Sequence, residues 1–340
     1  MATVSSQSAI WQVVDQLRSE LPPYDIGVAL AALIYLRWVD FQDAEQEAIA
    51  AFDDTDYKPL LPASLHWRSW HMFHPQKIKE LLSDWLSDKL EWLNNYRHNS
   101  LATQLYRISP AVKRLGRLSP QSLHKIICWL ADQPFETPRD RYALLDILDS
   151  VLDKILDRYS GQFRSPASIT RLLVEIAAPT AGDRVYDPCF GLAGLLTTAS
   201  DYVLRKDKNR FSHNGAPSLT IFGVELNPDA YVIGLTRLAL AGIDDPQLEL
   251  GDSLERTPFN NPQRDGFDLV LADPPWGMRA TTAGIDHFPV FTTDVTGLFI
   301  QHALSQLRLD GRVVIIVPQG FLSRSGPEKR LRRMLLEQHT

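Results

Sequence analysis

Apolar residues recur at two different spacings along this chain, and the change between them divides it. Up to about residue 160 the spacing is helical. Ile10, Val13, Val14 and Leu17 mark one apolar face before a break at Pro22 and Pro23. A second helix is predicted to start after Asp25 and to run through Leu36, buried on most sides. Residues 52–74 lose the period and carry Trp67, Trp70 and Phe73 as anchors, and Leu81, Leu82, Trp85, Leu86, Leu90 and Leu93 resume it. Ser119-Pro120 and Thr137-Pro138 read as helix starts. Each hydroxyl can cap free amides, while the proline takes a first-turn position where no donor is needed. The last of these helices is expected to run to Tyr159 and to stop at Gly161.

After Ser168 short apolar runs alternate with helical ones. Helices are predicted over 170–177, 192–204, 228–241, 298–307 and 327–337, and strands over 184–187, 219–225, 248–250, 267–272 and 313–317. Repeated strand–helix units imply a mainly parallel sheet covered on both faces. In such sheets the ligand crevice lies beyond the carboxyl ends of the strands, at a switch in strand order. The expected organisation is a mostly α-helical N-terminal domain over 1–160 and an α/β domain over 161–340.

Composition narrows this picture only modestly. The 340 residues are 44% hydrophobic and 22% charged, an ordinary globular balance with room for a large core. A formal charge of −6 argues against wholesale wrapping of nucleic acid. It still leaves room for a local basic cleft, or for a partner that supplies the phosphate contacts. Cys128 and Cys189, the 2 cysteines, make no disulfide framework, so a reducing compartment is expected. The first residues lack a secretory pattern, and the apolar run at 28–36 is too short to cross a bilayer. A soluble, cytoplasmic protein without membrane association is the expectation. His66, His71 and His74 match no compact zinc spacing and have no cysteine nearby, so no metal is expected. Arg205, Lys206, Lys208 and Arg210, like Arg330, Arg332 and Arg333, read as solvated faces.

Candidate chemistry collects where the strands end. Val185-Tyr186-Asp187-Pro188-Cys189-Phe190-Gly191-Leu192-Ala193-Gly194 follows a strand and leads into a helix. Gly191 permits close backbone approach or positive φ, and Gly194 permits tight packing. Glu225 ends the next strand, where a carboxylate can accept from both hydroxyls of a ribose. Asp252, with Ser253 beside it, follows the third strand and can either receive an adenine amino proton or cap a turn. A dinucleotide would need an uncluttered glycine turn for its pyrophosphate, whereas Asp187 places negative charge there. A cationic sulfonium with an α-amino group suits this acidic crevice better, which favours S-adenosyl-L-methionine over NAD.

The segment Asp268-Leu269-Val270-Leu271-Ala272-Asp273-Pro274-Pro275-Trp276-Gly277 carries the second half of the chemistry. Consecutive prolines stiffen the backbone and donate nothing. The Pro274 carbonyl and the Asp273 carboxylate can then accept both protons of an exocyclic amine, while Trp276 stacks on the attached ring. Such an amine is a poor nucleophile because its lone pair is delocalised. Two acceptors bias the nitrogen toward tetrahedral geometry and stabilise the charge that grows as it attacks a methyl group.

These segments resemble the N6-adenine DNA methyltransferases, and within them the modification subunit of type I restriction–modification systems, over nearly the whole chain. Gly161-Gln162-Phe163-Arg164-Ser165-Pro166 is similar to the family's Gly-x-Phe-Tyr-Thr-Pro segment, which borders the cofactor and so marks Phe163, Ser165 and Pro166. The turn from Asp187 to Gly194 is similar to the family's Asp-Pro-Ala-Cys-Gly-Ser/Thr-Gly-Gly loop. Phe190, Leu192 and Ala193 stand where that loop has smaller or more flexible residues, and are expected to crowd the methionine portion. Glu225 and Asp252 match the ribose- and adenine-binding acids. Asp273-Pro274-Pro275-Trp276 matches the (Asn/Asp)-Pro-Pro-(Tyr/Phe/Trp) motif, although this subfamily more often has Asn-Pro-Pro-Phe. Leu309-Asp310-Gly311-Arg312 and Val317-Pro318-Gln319-Gly320 look like its later turn and strand end.

The resemblance implies a class I S-adenosylmethionine-dependent methyltransferase sheet, Rossmann-like, preceded by a helical domain. It implies methylation of adenine N6 in DNA, and partnership with a DNA-specificity subunit or another defence-system protein. It also implies two further strands and C-terminal helices that do not follow the last strand here. An uncovered sheet edge would invite self-association. The alternatives are a weakly active or inactive scaffold in a defence complex, and methylation of RNA or protein amines. The segment at 278–296 is expected to act as a mobile lid or adenine-facing loop.

Overall fold

The computed structural model describes residues 4–61, 66–70, 72–87, 100–156, 165–206, 219–255, 266–280 and 288–338. They fall into two compact units, Met1–Gly161 with Pro228–Asp245, and Gln162–Asn227 with Pro246–Thr340.

The first unit is helical: α1 (Val4–Leu17), α2 (Pro23–Phe52), α3 (Trp67–Trp70), α4 (Pro75–Ser87), α5 (Ser100–Leu115), α6 (Pro120–Ala131), α7 (Pro138–Leu156) and α10 (Pro228–Leu240). Helix α2 is its axis and packs against α5, α7 and α10. It starts on Pro22 and Pro23, and residues 26–36 are buried all round. The helix then continues well past Leu36, because residues 42–52 are rich in Ala, Glu and Gln, strong helix formers that carry no apolar period. Gly27 lets α7 approach: a Cβ there would lie 2.9 Å from Leu152.

Both expected hydroxyl caps are present. Ser119 accepts from the Ser122 amide at 3.2 Å, and Thr137 accepts from the Asp140 amide at 3.2 Å while Asp140 reaches back. Helix α5 has no counterpart among the expected elements. Ala102, Leu105, Ile108, Val112 and Leu115 form its buried face, but Pro110 lies inside it. Helix α10 follows β2 in the chain yet packs among the helices of this unit, buried over nearly its whole length. Thr236 donates to the Ala31 carbonyl at 3.0 Å, and Arg237 grips both oxygens of Asp149 at 2.9 and 3.1 Å.

The second unit holds five parallel strands among the described residues: β1 (Arg184–Asp187), β2 (Thr220–Glu225), β3 (Gln247–Leu250), β4 (Phe267–Ala272) and β5 (Leu307–Ile315). Their order is β3-β2-β1-β4-β5, so the chain builds outward from β1 and then returns to its other side. Helices α8 (Ala167–Ala177), α9 (Gly194–Lys206), α11 (Val295–Ser305), α12 (Gln319–Ser323) and α13 (Pro327–Gln338) flank it. On one face Tyr186, Phe222, Val224, Phe267 and Val270 pack with Ala303 of α11. Tyr186 stacks on Phe267 at 4.6 Å and shares a hydrogen bond with His302 at 3.0 Å.

Strand β5 begins six residues before the expected one. Phe267 pairs with Leu307 while Leu269 already pairs with Arg312, so residues 308–311 bulge out of the ladder. Leu309 is 90% exposed there and Asp310 has φ +64°. The turn read in the sequence thus sits inside the strand.

Among the described residues no helix is long and apolar enough to cross a membrane, and no group of three or more His, Cys, Asp or Glu side chains is arranged to hold a metal ion. His66 bonds Asp40 at 2.8 Å, and His71 lies outside the described residues.

The Arg237–Asp149 pair should dominate local stability in the first unit. Arg237→Met removes the guanidinium that bonds both oxygens of the partly buried Asp149 and is expected to lower the unfolding free energy by about 3 kcal/mol in urea titration. Adding Asp149→Leu should recover most of that loss. Additive losses in the double variant would exclude the coupling.

Candidate active site at the strand ends

Parallel strands deliver their last residues to one rim, and at β1, β2 and β4 an acid stands at or directly after that end. Asp187 ends β1, Glu225 ends β2 and Asp273 follows β4 directly. Asp187 is only 1% exposed, and its Oδ1 accepts the Cys189 amide at 3.0 Å. Burial, with Glu225 and Asp273 nearby, pushes its carboxyl up to about 8. Glu225 is also raised by burial, although the Asn227 and Gly191 amides oppose this from 2.7 and 2.8 Å. Burial likewise lifts Asp273, against a hydrogen bond from Ser165. Cys189, read in the sequence as one of two unpaired cysteines and not as a site residue, is partly buried and senses all three, and desolvation raises its thiol well above the usual range. Its position inside an acidic turn was the only signal that could have found it.

The turn after β1 is held by the sheet. Gly191 has φ +53°, the left-handed conformation that glycine allows, and its amide reaches Glu225. Ala193 adopts φ +57° as well, and Gly194 opens α9. The expected crowding by Phe190 is resolved inward. Phe190 is buried, its amide donates to the Val224 carbonyl, and its ring covers Gly223, where a Cβ would lie 2.6 Å away. Leu192 and Ala193 are buried too. The bulk of the turn enters the core because Gly223 leaves space for it.

Asp252 follows β3 and accepts the Leu254 amide at 2.9 Å, which makes a local turn. The Gly251 amide donates to the Glu225 carbonyl at 2.9 Å, so this turn is tied to the end of β2. Ser253 is buried. Ser165 and Pro166 precede α8; Phe163 lies outside the described residues.

In Asp273-Pro274-Pro275-Trp276, Pro274 is buried, Pro275 is exposed, and Trp276 presents its indole at 54% exposure. Gly277 turns the chain with φ +74°. Residues 278–280 then pair with 293–295: the Ala280 amide donates to the Thr293 carbonyl at 2.9 Å, and the Val295 amide to the Met278 carbonyl at 3.2 Å. Phe288 and Val290 are buried beyond this clamp, so the described ends of the expected lid are anchored. Residues 281–287 lie outside the described residues. Met278 and Phe291 are exposed apolar residues near Trp276 in sequence that the motif did not point to.

A parallel sheet of this order, flanked by helices and carrying acids at the carboxyl ends of its strands, is the Rossmann-like fold of class I methyltransferases. A sequence model of the family described as N-6 DNA methylase matches residues 144–340, and the chain belongs to that family. It is 24% identical to the EcoEI methylase subunit of a type I restriction enzyme from Escherichia coli, over 98% of this chain and 69% of that one. It is 25% identical to the EcoKI methylase subunit from Escherichia coli K12, over 96% of this chain and 61% of that one. Among solved structures, a chain from a type I restriction–modification system superposes with a TM-score of 0.80 at 24% identity, covering 99% of this chain and 69% of that chain. A modification subunit of a putative type I restriction enzyme from Vibrio vulnificus YJ016 gives 0.76 at 20% identity, covering 99% and 76%. These likenesses support the fold.

Two outcomes follow from this geometry. Gly223→Ala should destabilise by about 1–3 kcal/mol through overpacking, and Phe190→Leu in that background should restore part of the loss. Equal losses with and without Phe190 would show that the ring lies elsewhere. Asp187, ordinarily near 3.8 and here about 8, is protonated in the folded protein at neutral pH. Its contribution to stability is complete below the unfolded value and is lost as pH rises toward 8. Asp187→Asn should therefore gain on the parent between pH 5 and pH 8 in thermal unfolding. A pH-independent difference would reject the buried proton.

Proposed function

We propose that this protein transfers a methyl group from S-adenosyl-L-methionine to the N6 amine of adenine in DNA. In this reading it is the modification subunit of a restriction or defence system and works with a DNA-specificity subunit or another defence-system protein. The observation that carries it is the gathering of Asp187, Glu225 and Asp273 on one rim, with the exposed indole of Trp276 three residues beyond Asp273.

The residues present suit that cofactor. Acids held by neutral donors and raised by burial ionise more readily beside a cation, and a diphosphate would oppose them. Glu225 keeps further lone pairs for ribose hydroxyls, and Leu226, 67% exposed beside it, offers apolar surface to a base. Asp252 and Ser253 stand at the neighbouring strand end for the adenine edge, while Gly191 and Gly194 let the backbone approach. Phe163 and Pro166 are assigned to the cofactor by the likeness of their segment to the family's Gly-x-Phe-Tyr-Thr-Pro. The cofactor supplies an electrophilic methyl on sulfur, which departs as a neutral thioether.

The target side needs orientation and charge stabilisation rather than an enzyme nucleophile. Asp273 and the Pro274 carbonyl accept the two amine protons. That arrangement localises the nitrogen lone pair and compensates the positive charge that develops as the N–C bond forms. Pro275 keeps the turn rigid, and Trp276 stacks on the adenine ring once the base has left its duplex. The surplus proton leaves the nitrogen after transfer, with Asp273 as its first acceptor.

Labelled methyl transfer to DNA, with and without the specificity protein, tests the reading. Incorporation at adenine N6 is expected, with a loss of roughly 100-fold or more in Asp273→Ala and a strong reduction in Trp276→Ala. Undiminished activity in Asp273→Ala would reject the proposed amine site. Calorimetric titration with S-adenosyl-L-methionine checks the cofactor half separately.

A further inference from the structure

Two Ser-Pro pairs precede helices in this chain, and they use their hydroxyls differently. At Ser119-Pro120 the serine is the cap, the proline is the first helical residue, and the hydroxyl accepts from Ser122. At Ser165-Pro166 the helix starts one residue later, so Pro166 takes the cap position and has no side-chain acceptor to offer. Its carbonyl accepts the Ile169 and Thr170 amides. The Ser165 hydroxyl is released from capping and donates instead to Oδ2 of Asp273, across 108 residues of sequence.

We infer that Ser165 is a positioning residue for the target-amine carboxylate: it fixes the plane of Asp273 and leaves Oδ1 to face the substrate. This rests on the proposed amine site and gives Ser165 a task on the target side rather than on the cofactor side. A carboxylate free to rotate exchanges its two oxygens, and each rotation misdirects the lone pair that should meet the amine. A hydroxyl on Oδ2 removes that freedom. The same bond favours the ionised form against the burial that opposes it. Among the described residues, Asp187 on β1 and Cys189 in the following turn also sense Asp273, and both disfavour its charge when ionised.

The test uses the full chain, with its specificity partner where DNA methylation requires one. Carboxyl carbons of aspartate are labelled, and the Asp273 signal is identified by its disappearance in Asp273→Asn. Ser165→Ala should move the Asp273 titration up by about one pH unit, and Ser165→Thr, which keeps the hydroxyl, should restore it. In single-turnover transfer Ser165→Ala should be roughly tenfold slower, with its acid limb moved to higher pH and cofactor affinity within about twofold of the parent. An unchanged Asp273 titration in Ser165→Ala would overturn the inference. So would weakened cofactor binding with an unchanged transfer rate, which would return Ser165 to the cofactor. A shifted titration in a protein that binds cofactor but never methylates DNA would uphold the contact and remove the proposed reaction instead.

Discussion

Carboxylates at the ends of β1, β2 and β4 repel one another where water is scarce, and the α/β unit is arranged around that repulsion. Its response is unlike the one used elsewhere in the chain. Asp25 and Asp229 meet Arg114, Asp149 meets Arg237, Asp183 meets Arg312, and Asp268 meets Arg308. Asp183 and Asp268 lie at or near the amino ends of β1 and β4, so the cations are spent on the far rim. On the carboxyl rim the donors are amides for Asp187 and Glu225, and a hydroxyl for Asp273. Salt bridges would satisfy the same oxygens but would also cancel the negative field of this rim. Neutral donors hold the acids in place without an ion pair, and burial raises all three.

That economy depends on two matched pairs. Phe190 and Gly223 belong together: a large side chain in a glycine turn is tolerable because the adjacent strand has no side chain beneath it. Gly277 and the pairing of 278–280 with 293–295 do the equivalent for Asp273-Pro274-Pro275-Trp276. The chain reverses immediately after Trp276 and is fastened to the start of α11, so the indole projects from an anchored loop. In both cases a rigid backbone presents the functional group, while the sheet behind it takes up the bulk.

Much of this was legible because strand signals and acidic residues coincide in the sequence. Apolar runs ending at Asp187, Glu225 and Asp273 place those residues on one rim as soon as the sheet is parallel. Other features were hidden for definite reasons. Pro110 masks α5, whose apolar face is otherwise regular. The latter part of α2 is helical by propensity rather than by periodicity. The bulge at 308–311 interrupts β5 with residues that read locally as a turn. The fate of Ser165 turns on a helix start displaced by one residue, and that offset is visible only in three dimensions. The burial of Phe190 is also invisible in a turn considered alone, since its partner lies on the next strand.

The allegiance of α10 has a consequence for how this chain comes to be folded. Residues 228–245 complete the helical unit, yet they follow β1 and β2 in order of synthesis. Domains generally fold as units, the N-terminal one first as it emerges. Here the earlier unit lacks a buried helix until residue 245 has appeared, so its core waits on a segment encoded after the first two strands. A fragment ending at Gly161 would expose the surfaces that Tyr231, Thr236 and Arg237 cover. Assembly is interleaved by construction, and cutting the chain between its two sequence halves would divide one core rather than separate two.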